Sequence, residues 1–139
     1  MAAKASDYVL DSFALLAYFQ DEPGGHRIKA VLGQSARQRV EVYLSAVNYG
    51  EVVYITEREH GLRAAQKLIV ALDQLPITIV DADRRSALAA AHIRAKYPLS
   101  YADAFAVALA QARHATVLTA DPEFRVVETL VSIEWLPAL

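Results

Sequence analysis

The feature that most constrains this chain is a recurring unit. A short β-branched apolar run ends on a polar residue, and a segment with helical spacing follows. Tyr8-Val9-Leu10 ends on Asp11, and Ser12 opens a helical pattern that runs through Gln20. Asp21-Glu22-Pro23-Gly24-Gly25 is a loop, and a second helix is predicted from about His26 to Gly33. Val40 to Leu44 alternates as a strand does. Ser45 then caps a helix through His60, with Gly61 as its stop. A further helix runs from about Leu62 to Leu75 and ends at Pro76. Ile77 to Val80 is a third strand, and Asp81 is predicted to cap a helix reaching about Tyr97. Beyond Pro98, Ser100 caps the alanine-rich helix Tyr101 to Arg113, and Thr116 to Thr119 is a fourth strand. Asp121-Pro122 opens a short helical turn, and Ile133 to Leu136 adds a fifth strand. Such alternation, without internal repeats, predicts an α/β fold: a mostly parallel sheet of four or five strands with helices on both faces.

With 139 residues, the chain is read as one domain over residues 1–139. Its hydrophobic fraction of 55% against 22% charged residues excludes a disordered chain. There is no cysteine, so disulfides and thiolate zinc sites are excluded. His26, His60, His92 and His114 stand apart with no HExxH spacing, which argues against a histidine zinc site. Asp7 and Asp11 interrupt the stretch where a signal peptide needs an unbroken apolar core, and no run matches a membrane span. These features predict a cytoplasmic protein with no membrane partner. The net charge of −2 is neutral evidence on nucleic acid. Set four carboxylates aside for one metal site, and the remainder carries 12 acids against 14 bases.

Three of four candidate acids fall where an open α/β sheet places its site, beyond the carboxyl ends of the strands, and the fourth, Glu51, lies deeper in its helix. Asp11 directly follows the first strand and Asp121 lies just past the fourth. Asp103 lies one turn into its helix. Glu51 is about two turns into the helix capped by Ser45, sharing a broad face with Ser45 and Asn48 at i, i+3, i+6 spacing. Four converging carboxylates would repel one another unless a hard, oxygen-seeking cation such as Mg²⁺ or Mn²⁺ joined them. Each acid also has an ordinary structural role open to it. Asp103 fits a capping box with Ser100, Asp121 fits an N-cap before Pro122, and Glu51 fits a solvated helix face. Spacing alone does not choose; convergence requires the fold.

Three segments together resemble the PIN-domain ribonucleases, and among them the toxins of VapBC toxin–antitoxin pairs. They are VLDSFALLAYFQDEPG, LSAVNYGEVVYITER and LSYADAFAVALAQARHATVLTADPEF, in the family's order and covering nearly the whole chain. The resemblance implies a PIN-like three-layer sandwich and assigns Asp11, Glu51, Asp103 and Asp121 as the catalytic, metal-binding acids. It makes Ser12, Asn48 and Thr119 supporting polar residues that orient those carboxylates, with Glu123 as a possible further acid. The implied activity is hydrolysis of RNA by metal-activated water, with Mg²⁺ or Mn²⁺ as cofactor and no other cofactor site. The implied partners are an RNA substrate, a VapB-like antitoxin and a second copy of the chain. Tyr18, Tyr49, Val53 and Tyr54 are candidates for an apolar groove that takes an antitoxin helix, with core packing as their alternative role.

Two other readings of the residues remain. One is a different Mg²⁺-dependent phosphoryl-transfer protein. Against it, Asp11-Ser12-Phe13 lacks the second aspartate of a haloacid-type phosphatase, and no lysine follows the fourth strand as in a receiver domain. The other is a non-catalytic interaction module, against which the intact acid set speaks.

Overall fold

The structure, a computed structural model, describes residues 6–138. Five short strands build one sheet: β1 (Tyr8–Leu10), β2 (Val42–Ser45), β3 (Thr78–Val80), β4 (Thr116–Thr119) and β5 (Ile133–Trp135). Their order is β3-β2-β1-β4-β5, and every neighbouring pair is parallel. Parallel neighbours require crossover connections, and helices supply them. Helices α1 (Ser12–Phe19) and α2 (Gly25–Ala36) join β1 to β2. Helices α3 (Ala46–His60) and α4 (Leu62–Asp73) join β2 to β3, and α5 (Arg84–Lys96) and α6 (Tyr101–Arg113) join β3 to β4. A 3₁₀ segment, Pro122–Val127, leads to β5.

The period-2 alternation of each central strand divides the core between the two faces. Tyr8, Leu10, Val42, Leu44 and Leu118 pack with the apolar faces of α1 to α4. Val9, Tyr43 and Val117 pack with α5, α6 and the 3₁₀ segment, where Phe124 and Val127 are fully buried. The result is a three-layer α/β/α sandwich. Strands buried on both faces read as near-continuous apolar runs, which is why YVL and VYL mark them so clearly. In α6, every residue from Asp103 to Ala110 is buried. Its alanines let the helix approach β1, β2 and β4 on one side and α3 and α5 on the others.

Local chemistry explains the element ends. Ser45 Oγ accepts from Val47 N at 3.2 Å and Ser100 Oγ from Asp103 N at 3.1 Å, so both predicted N-caps are in place. Gly61, at φ 92°, ends α3 in a conformation that disfavours any side chain. Gly25 permits the sharp entry into α2, because a Cβ there would lie 2.6 Å from the Ala17 carbonyl oxygen. Helix α2 thus starts at Gly25, slightly earlier than its apolar spacing suggests, and continues to Ala36. The second strand begins at Val42 rather than Val40 and includes Ser45, which pairs with Val80. The cap of α5 is Asp83, not Asp81: Asp83 Oδ1 accepts from Ser86 N at 2.8 Å, while Asp81 lies in the extended link after β3. Two aspartates two residues apart gave the same cap signal, and only the direction of the link separates them.

Candidate active site

The strand order reverses between β1 and β4. The first connection leads from β1 toward β2 and β3, and the later one returns the chain to β4 and β5 on the other side. This is the switch point at which open α/β sheets form a crevice beyond their strand ends. Asp11 follows β1 directly and is completely buried; Thr119 ends β4 and is equally buried; Asp121 follows it, half-buried. Asp103 reaches the same edge from the first turn of α6, and Glu51 from the second turn of α3.

Two hydrogen-bonded sets hold these acids. Asp11 Oδ1 accepts from Ala14 N at 2.8 Å, capping α1, and Asp11 Oδ2 accepts from the Thr119 hydroxyl at 2.5 Å. Thr119 Oγ1 in turn accepts from Asp121 N at 3.0 Å, and Asp121 Oδ1 accepts from Glu123 N at 2.9 Å. In the second set, Ser12 Oγ donates to Glu51 Oε1 at 2.5 Å and accepts from Asn48 Nδ2 at 3.2 Å. The same amide nitrogen donates to the Ala102 carbonyl at 3.3 Å, one residue before Asp103. Asn48 is fully buried, and its Oδ1 has no partner among the described residues. The capping role open to Asp121 is thus real, Asp11 caps α1 as well, and in each case one carboxylate oxygen is occupied. In the Ser100 pair the serine is the cap, its Oγ accepting from the Asp103 backbone N.

Electrostatics mark the cluster. Burial pushes the Asp11 carboxyl up from the ordinary carboxylate range to about 7; Thr119 and the Ala14 amide oppose the rise, and the charges of Asp121 and Glu51 add to it. Burial likewise pushes Asp103 up to about 7, opposed by the Ser100 hydroxyl and reinforced by Asp11, Asp121 and Glu51. All four sequence-predicted acids therefore lie within electrostatic reach of one another. Carboxylate oxygens of Asp103, Asp121 and Glu123 lie within 4.8 Å of one another. That grouping is compatible with ligation of one shared divalent cation. The donors are all oxygens, without nitrogen or sulfur, and that set fits a hard divalent cation.

The sequence profile of the PIN domain matches residues 8–130. The chain belongs to the PIN-domain family. Among solved structures, the domain is similar to the DNA-bound VapBC complex of Salmonella typhimurium. There the TM-score is 0.72 at 16% identity, covering 94% of this chain and 98% of that one. A toxin–antitoxin complex from Klebsiella pneumoniae matches with TM-score 0.70 at 16% identity, covering 96% and 100%. FitAcB from Neisseria gonorrhoeae matches with TM-score 0.67 at 22% identity, covering 91% and 95%. A search of curated protein sequences finds no match.

Glu123, a possible further acid from the resemblance, groups with Asp103 and Asp121, and the 3₁₀ turn that carries it leaves no periodicity from which that grouping could be read. The surface around Phe13, 56% exposed beside the buried Asp11-Ser12 pair, was also not foreseen. Its signal was present: FALLAYF has no polar face, so one apolar residue of α1 had to point outward. Of the residues suggested for a partner groove, Tyr18, Tyr49 and Val53 are half-buried against the core, and Tyr54 is exposed beneath the Arg58 guanidinium. A neighbouring groove between α1, α3 and α4 is lined by Leu16, Phe19, Thr56, Ala64, Leu68 and Ala71. Among the described residues, no helix is long and apolar enough to cross a membrane.

Proposed function

We propose that this PIN domain is a Mg²⁺- or Mn²⁺-dependent ribonuclease and the toxin of a type II toxin–antitoxin pair. The observation that carries the reading is the convergence, at one sheet edge, of acids drawn from residues 11 to 123 of the chain. Asp11, Glu51, Asp103 and Asp121 would hold the cation, directly or through water, with Glu123 at its exposed side. When bound, the cation supplies Lewis acidity: it polarises the phosphoryl oxygen, eases deprotonation of water and balances charge on the leaving oxygen.

The chain's own residues supply position. Thr119 and the Ala14 amide fix both oxygens of Asp11 while leaving a lone pair on each free, and Ser12 with Asn48 fixes Glu51. Asp121, with one oxygen anchored on the Glu123 amide, keeps the other to orient the attacking water. Burial of Asp11 and Asp103 excludes bulk water, which strengthens their grip on a cation.

The toxin reading draws support from the solved structures of similar fold, which are described as toxin–antitoxin or VapBC complexes. The apolar groove between α1, α3 and α4 suits the apolar face of an antitoxin helix. A basic antitoxin side chain among the carboxylates would replace cation charge and block substrate together. Exposed Leu88 and Tyr101, on α5 and α6, suit a homodimer contact. The proposed setting is the cytoplasm, where RNA is the substrate. Sequencing of RNA ends after induced expression, beside an Asp11→Asn control, tests the activity. New ends that appear only with the wild-type protein are expected; ends equally abundant with the control would overturn the reading.

A further inference from the structure

The Phe13 side chain stands at the mouth of a cavity of about 220 Å³ that shares a wall, Asp121, with the acid cluster. Leu136 and Ala17, both buried, form its floor, and Pro122 and Pro137 form apolar walls. Glu22 supplies the rim carboxylate, and among the described residues that carboxylate has no ion-pair partner. Gly24 keeps the floor open, since a Cβ there would press to 3.3 Å from the Leu136 Cβ.

We propose that this cavity is a nucleobase subsite, taking the base of a nucleotide adjacent to the scissile phosphate; the inference rests on the ribonuclease reading above. Three observations select that occupant. The cavity shares Asp121 with the acid cluster, so it adjoins the place where a phosphate would be held. Its volume of about 220 Å³ has room for a nucleobase. Its mouth carries an exposed aromatic ring, and unstacked bases of single-stranded RNA are held by such rings. Glu22 then adds selectivity. A carboxylate accepts from the exocyclic amino group of cytosine, adenine or guanine, whereas uracil offers only its ring N3–H, flanked by two carbonyl oxygens that repel the carboxylate.

Steady-state cleavage of a random-sequence single-stranded RNA, with the product ends sequenced, tests the subsite. Phe13 is exposed, so Phe13→Ala is expected to keep the wild-type Tm while raising KM roughly ten-fold or more, with kcat little changed. Phe13→Trp is expected to restore KM, and Phe13→Leu is not. Wild-type cuts are expected to avoid uracil at one flanking position, and Glu22→Gln to remove that avoidance at unchanged Tm. Cleavage with an unaltered KM in Phe13→Ala, or with no base preference in the wild type, overturns the subsite and leaves the ribonuclease reading standing. That result would also be expected if the cavity holds a peptide of a protein partner instead. No metal-dependent cleavage by the wild type overturns both.

Discussion

The Thr119 hydroxyl donates to Asp11 Oδ2 at 2.5 Å while accepting from Asp121 N at 3.0 Å, so one side chain ties the ends of β1 and β4 into a single acidic edge. Thr119→Val removes both bonds and keeps the shape. It leaves the buried Asp11 carboxylate short of a donor and frees the loop that carries Asp121. Cleavage is expected to fall about 10- to 100-fold, as for other residues that orient metal-binding groups. Thr119→Ser keeps the hydroxyl and is expected to retain most activity. Equal loss in both variants would show that packing, not the hydroxyl, matters.

The raised Asp11 and Asp103 carboxyls make metal-free stability depend on pH with a definite sign. Folded values of about 7 lie above the ordinary 3.8, so the folded state holds more protons between those limits. The burial penalty is therefore complete above pH 7 and eases as pH falls. In EDTA, the Tm is expected to rise by several degrees between pH 8 and pH 5, and Asp11→Asn is expected to flatten that rise. The substitution is tolerable because an Asn oxygen can still accept from Ala14 N and its amide can donate to Thr119 Oγ1. A Tm that drops steadily over the same interval would contradict the burial account.

Gly25 tests the packing that carries α1 into place. Gly25→Ala would set a methyl 2.6 Å from the Ala17 carbonyl oxygen, which is backbone and cannot move aside alone. The expected loss of stability is about 1–3 kcal/mol, read as a lower urea midpoint. Gly50→Ala, where a Cβ meets nothing within 4 Å, serves as the control and is expected to be neutral or slightly stabilising on its helix.

The groove between α1, α3 and α4 tests the partner. Ala64→Glu places a charge among Leu16, Phe19 and Leu68 at a half-buried position, without removing any core side chain. Co-purification of a small antitoxin with the wild-type chain is expected to be lost in this variant, with the ribonuclease activity of the free domain retained. A partner held equally by both proteins would direct attention to another surface.

Much of this architecture was legible because the strands are short and buried on both faces. YVL runs into Asp11 and TVL into Thr119, both at the site, and the cap residues Ser45, Ser100 and Gly61 mark where helices begin and end. What the residues alone did not determine was convergence. Glu51 and Asp103 sit on different helices 52 positions apart, and only the crossovers to one switch point bring them near Asp11. The grouping of Glu123 with Asp103 and Asp121, and the Phe13 cavity, needed the fold for a similar reason: both depend on how a loop folds back, on which hydrophobic periodicity is silent. Asp81 and Asp83 were confused because N-cap chemistry is identical in both and the link geometry alone distinguishes them.

The central claim is that these carboxylates exist to hold a divalent cation that cleaves RNA. The most direct measurement is cleavage of single-stranded RNA by purified protein stripped with EDTA and then titrated with Mn²⁺, beside Asp103→Asn. The expected result is no cleavage after stripping and saturable recovery with Mn²⁺. Asp103→Asn is expected to remain folded, with apo stability unchanged or improved, and to stay inactive at every Mn²⁺ concentration. Cleavage that survives EDTA, or an Asp103→Asn protein as active as wild type, would contradict the account.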